Sequence, residues 1–230
     1  MTGLEIADRS LEIYRQIWLR LCLIWLIGCL PIAGALWLLG HRALQSGNPS
    51  GPELLELMSL SVLVLLTAGW YALFMTVLIR QSQAGLDLTP WSLRESSAYL
   101  PTAFTALGRR LLLTLASTLT LGVALPAALV YSSTWMIRAV IVDPSALSLH
   151  PEISAKLRIT LNAFSWLMLL IVAANLAVLL SWVRSGSIDL SILSADPVTL
   201  AVSAAVALTL VEPWRVLALT LAVEERCSIC

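Results

Sequence analysis

The segment from Ile159 to Val183 runs for 25 residues without a single Asp, Glu, Lys or Arg. A stretch this long and this apolar has one common use, since a bilayer core about 30 Å thick needs ~20 mostly apolar residues in a helix. It is not alone. Ile17 to Leu39 is interrupted only by Arg20 and Pro31, and the run from Leu54 to Ile79 carries no charge after Glu56. From Leu111 to Val142 the chain is apolar throughout, broken at Pro126 and charged only at Arg138. The last run, Val198 to Val223, contains Glu212 and Arg215.

Charged residues make up only 12% of the chain and apolar residues 59%, against about 25% and about 45–50% in an average soluble domain. So few charges cannot cover a soluble surface, which argues against both a soluble enzyme and a disordered chain. The formal net charge is zero, so the chain lacks the basic footprint of a nucleic-acid binder. The expected fold is all-α: a polytopic transmembrane helical bundle in one membrane domain, 1–230. The lipid bilayer, and other membrane proteins, are its expected partners.

The stretch from Leu111 to Val142 is too long for one span. Divided at Leu125-Pro126-Ala127, and with Phe104 to Arg110 added to its first half, it makes two. Six spans result, at about 17–39, 54–79, 104–124, 127–142, 159–183 and 198–223. Five is the alternative if Pro126 only kinks a helix. Lys and Arg placement favours six, because cytoplasmic loops retain positive residues. With the N-terminus inside, Arg9, Arg15, Arg20, Arg80, Arg94, Arg109, Arg110, Arg138, Lys156, Arg158 and Arg226 are inner, whereas only Arg42 and Arg184 are outer. Both termini are therefore expected in the cytoplasm. Ala33-Gly34-Ala35 has the look of a signal-peptide cleavage site, but Glu5, Asp8 and Glu12 precede it and the apolar run continues through Leu39.

Ahead of the first span, Leu4, Ile6, Leu11, Ile13, Tyr14, Ile17 and Trp18 fall roughly at helical spacing. This is either an amphipathic helix at the inner interface or the first span extending below the membrane. In the longest polar connection, Thr89-Pro90 and the capping-box spacing of Ser92 and Glu95 predict a helix start. Asp143-Pro144 ends the fourth span, and Pro151 restarts a helix.

Three segments carry a family likeness. Leu11-Glu-Ile-Tyr-Arg-Gln-Ile-Trp-Leu-Arg-Leu21, the stretch from Ala84-Gly85 through Ser92-Leu-Arg-Glu-Ser-Ser97, and Ala218-Leu-Thr-Leu-Ala-Val-Glu-Glu-Arg226 behind Pro213 are the residues concerned. Together they resemble bacterial membrane proteins related to the glycerophosphodiester phosphodiesterase membrane domain, with Val223, Glu224 and Glu225 where that family has tyrosines. The resemblance implies a six-helix bacterial inner-membrane protein without phosphodiesterase activity, because the family's catalysis belongs to a separate soluble domain. Gly40-His41-Arg42 is followed by Ala43 where a catalytic His-Arg-Gly has glycine, and the chain's second histidine, His150, is far away.

Glu212-Pro213-Trp214-Arg215 is the segment that topology does not explain. Glu212 lies 14 residues past Val198, about 21 Å along a helix. Ionisable groups at that depth are costly, and they face a bundle interior or a wet cavity, often in pairs. Glu212 and Arg215 are three apart and share a helical face. With Arg138, near the end of the fourth span, they form the candidate intramembrane polar site. The pair is either a structural ion pair or the lining of a polar path.

Cys22 and Cys29 are expected as small apolar residues, and Cys227-x-x-Cys230 as a dispensable tail, since half a zinc site has no second half here. No catalytic, metal-binding or cofactor-binding residues are expected. The function expected is a non-enzymatic inner-membrane scaffold, assembly or regulatory partner. The alternative is a small transporter or channel subunit lined by Glu212, Arg215 and Arg138.

Overall fold

A computed structural model describes residues 2–45, 51–84, 93–118, 124–141, 153–185 and 197–228. Among them the fold is all-helical: α1 (Gly3–Gln45), α2 (Gly51–Ala84), α3 (Leu93–Ser97), α4 (Leu100–Thr118), α5 (Leu125–Ser132), α6 (Trp135–Ile141), α7 (Ala155–Ser185) and α8 (Pro197–Ser228). Four of these, α1, α2, α7 and α8, are long and apolar enough to cross a membrane. They coincide with the first, second, fifth and sixth expected spans.

The leading amphipathic segment is part of α1, not a separate helix. Thr2 and Glu5 form a capping box: the Thr2 N–H donates to Glu5 Oε2 at 2.7 Å, and the Glu5 N–H to Thr2 Oγ1 at 3.4 Å. Ile6, Ser10, Ile17, Leu21 and Ile24 then bury one helical stripe against the bundle.

Helices α1 and α2 form an antiparallel pair, tied at one end by an Arg42–Glu56 ion pair of 3.1 Å. Gly28 makes their closest approach possible, because a Cβ there would sit 2.6 Å from Phe74 Cβ. In hydrocarbon no hydrophobic force drives helices together, so such close contacts and interhelical hydrogen bonds carry the association. Helices α7 and α8 pair in the same antiparallel way, with Phe164 and Trp214 ring centroids 5.5 Å apart. Helix α8 is the hub: it touches α1, α2, α6 and α7, and Val216, Leu217, Ala218 and Leu219 are all buried.

The third and fourth expected spans take another form. Helix α4 carries Arg109 and Arg110 in mid-course, and α5 and α6 have only eight and seven residues. Pro126 lies in the first turn of α5, where its missing N–H costs nothing, so it opens a helix and does not kink a longer one. The break between α5 and α6 falls at Ser132-Ser133-Thr134. The Ser132 and Ser133 hydroxyls donate back to the Ala128 and Val130 carbonyls at 2.8 and 2.7 Å, competing with the helical ladder. Thr89-Pro90, Ser92 of the capping box, Asp143-Pro144, His150, Pro151 and Cys230 lie outside the described residues, as does the side chain of Cys227.

Candidate functional site

Proline inside α8 sets up the site. Pro213 lacks the N–H that would bind the carbonyl four residues earlier, which loosens the preceding turn. A side chain from α1 enters there: the Tyr14 hydroxyl donates to the Leu210 carbonyl and lies 3.1 Å from Cys22 Sγ. The helix stays intact through Pro213, so Glu212 and Arg215 remain one turn apart on a common face.

They pair as the spacing predicts. Arg215 Nε donates to Glu212 Oε2 at 2.7 Å, and Nη2 to Oε1 of the same carboxylate. This two-pronged geometry is the strongest form of the pair. The side chains retain 12% and 22% of their exposure, so the pair is neither sealed in the core nor out in the open.

A third partner comes from α7, and nothing in the sequence pattern marks it. Asn162, 3% exposed, accepts from Arg215 Nη1 at 3.1 Å through Oδ1. Its Nδ2 donates to Ser133 Oγ at 3.2 Å and to the Arg158 carbonyl at 2.8 Å. The break between α5 and α6 is thereby joined to α7 and α8 through one amide. Beside it, Arg158 donates to the Tyr131 carbonyl at 3.2 Å and places its guanidinium over the Tyr131 ring.

Next to the ion pair lies a cavity of about 300 Å³. Glu212, Arg215, Asn162, Trp25, Tyr71 and Arg110 supply its polar lining. Arg110 enters the sequence reading only as one of eleven inner positive charges, and the tertiary structure brings it to the site. The charges of Arg110, Arg215 and Glu212 are close enough to act on one another. Arg138 is placed differently: it sits on the last turn of α6 and does not line this cavity. Of the three expected site residues, the fold therefore joins two and adds Asn162 and Arg110.

Among the described residues no group of three His, Cys, Asp or Glu could hold a metal ion. His41 stacks on Trp37 near the far end of α1, 5.4 Å between ring centroids. Chemically, the arrangement offers fixed cations, hydrogen-bond donors and aromatic walls in a low-dielectric setting, which suits binding a polar or anionic group. No family model, curated protein or solved structure matches the chain.

Proposed function

We propose that this chain is a multi-pass protein of the bacterial inner membrane that binds a small ligand at Glu212 and Arg215, acting as a carrier or channel subunit and not as an enzyme. The observation that carries this reading is the cavity that reaches the pair. A purely structural ion pair needs no adjoining space, whereas about 300 Å³ lies at the lower end of ligand-pocket sizes.

Both termini are cytoplasmic in this reading, and the membrane is crossed four times. Six crossings would put the end of α4 and the start of α5 on the side opposite the start of α7. Yet Leu113 and Ser117 of α4, Pro126 of α5, and Ala155 and Arg158 of α7 line one groove. That proximity supports α3–α6 as a unit inserted from the inner side, standing in for the third and fourth of six spans. The positive-charge asymmetry is the same either way, because no Lys or Arg lies between Leu111 and Ile137. The family likeness of the quoted segments accords with an inner-membrane location.

The scaffold function is the second reading, and one observation favours it. Between Leu54 and Leu66, α2 exposes residues on every side, including Leu55, Met58, Val62, Leu65 and Leu66. That free length could receive another membrane protein's helix.

Thiol labelling separates the two. In a chain whose four native cysteines are replaced, Leu169→Cys at the cavity should react readily with a small membrane-permeant thiosulfonate. Leu167→Cys, on the lipid-facing side, should react slowly, since apolar surroundings disfavour the thiolate. Equal, slow labelling at both positions would overturn the ligand-binding reading.

A further inference from the structure

The ligand class follows from the charge balance of the cavity, an inference that rests on the ligand-binding reading above. Arg110 and Arg215 bring two positive charges to the lining and Glu212 one negative, so the site carries one uncompensated cation. Glu212 spends both carboxylate oxygens on Arg215. The Arg110 guanidinium makes no hydrogen bond or ion pair with any described residue, although charge at membrane depth is costly unless neutralised. A second polar group is also unsatisfied: the indole N–H of Trp25, a lining residue, is buried without a partner. A buried donor is normally paired and a charge at membrane depth normally neutralised, so the Trp25 indole and the Arg110 guanidinium both point to an absent acceptor.

The way in points to the same chemistry. Trp166 and Leu208 belong to the lining and are also 52% and 40% exposed on the apolar outer surface of α7 and α8. The mouth therefore faces hydrocarbon, and a molecule entering there must be soluble in the bilayer. Room for about ten water-sized units holds a polar head and its first carbons, leaving an acyl chain outside along Trp166 and Leu208.

We propose that the cavity binds the singly charged oxyanion head of a membrane amphiphile, with Arg110 as its recognition group. The phosphodiester of a net-anionic phospholipid, with no ammonium to neutralise it, and a fatty-acid carboxylate share this chemistry. One negative charge neutralises the site, and Glu212 acts against binding by competing for Arg215.

The test uses the full chain in nanodiscs of phosphatidylethanolamine and phosphatidylglycerol at three to one, with retained lipids counted by native mass spectrometry and oleate added in a parallel arm. The wild type should retain phosphatidylglycerol or oleate well above its bulk share; oleate displacing the phospholipid identifies the carboxylate source, and failure to displace it the phosphodiester. Arg110→Gln should lower that preference about tenfold, the effect of losing one charge-assisted hydrogen bond, and Arg110→Lys should recover most of it. Glu212→Gln should strengthen retention, an outcome that a structural role for Arg110 does not produce and that stays readable if Arg110→Gln does not fold. Retention of phosphatidylethanolamine in its bulk proportion, or an unchanged preference in Arg110→Gln together with no gain in Glu212→Gln, overturns the assignment. If Leu169→Cys still labels fast in that case, the ligand class alone has failed and the ligand-binding reading stands.

Discussion

The Trp70 indole N–H, on α2, donates at 3.0 Å to the carbonyl of Ile27 on α1. Ile27 stands four residues before Pro31, and its carbonyl is the one that Pro31 leaves without an in-helix donor. Both residues are well exposed on the bundle surface, where a membrane offers no water as a substitute. A proline in one helix is thus answered by a tryptophan in the next. Near Pro213, Tyr14 donates across the α1–α8 contact to the carbonyl of Leu210, the residue after the one Pro213 leaves unbonded.

Trp70→Phe should therefore lower the stability of the purified protein by about 1 kcal/mol, the usual range for a hydrogen bond between membrane helices. In a Pro31→Ala background the helix supplies its own donor, and the same substitution should cost clearly less. Thermal denaturation of the four members of this cycle in micelles gives the coupling. Equal costs in both backgrounds would show that the bond contributes nothing.

Gly28 and Gly34 lie on the same helix and should behave oppositely. Alanine at 28 brings a methyl group within 2.6 Å of Phe74 Cβ, and separating α1 from α2 should cost about 1–3 kcal/mol. Alanine at 34 meets nothing within 4 Å and should be neutral or slightly stabilising. Denaturation midpoints of Gly28→Ala and Gly34→Ala check this directly.

Removing Arg215 alone should hurt more than removing both members of the Glu212–Arg215 pair. Arg215→Met strands the Glu212 carboxylate and the Asn162 Oδ1 acceptor, at an expected cost of about 3–5 kcal/mol. The double variant Glu212→Gln, Arg215→Met leaves no stranded charge and should fold better than the single one. A double variant less stable than Arg215→Met would contradict this account of the pair.

Reporter position decides the crossing number. Sandwich fusions after Gln45 and after Ser185, at the far ends of α1 and α7, should report the outer side. A fusion after Thr118, at the end of α4, should report the cytoplasm if α3–α6 return without crossing. An outer signal there would restore six crossings.

Much of the fold was legible along the chain because four helices are long and almost free of charge, and length plus hydropathy is a local property. The Glu212–Arg215 pair was legible for a similar reason, since a spacing of three fixes proximity within one helix. The fourth expected span was not legible as two short helices: Ala127 to Val142 is apolar enough for a span, but the helix is interrupted after Ser132, where the hydroxyls of 132 and 133 bond back to helix carbonyls. Arg138 entered the expected site as a charge lying within that span, near its end. Once α6 is a separate short helix, its position no longer follows from sequence distance.

The sequence by itself determined which segments suit a membrane, which connections between them carry the positive residues, and that Glu212 and Arg215 share a helical face. All three depend on near neighbours along the chain. Only the tertiary structure decided that Asn162, fifty-three residues away, clamps Arg215, that Trp70 answers Pro31, and that Arg110 lines the cavity beside the pair. These depend on how α1 and α2, and α4, α7 and α8, cross, and crossing is set by the fit of many side chains that no local spacing encodes.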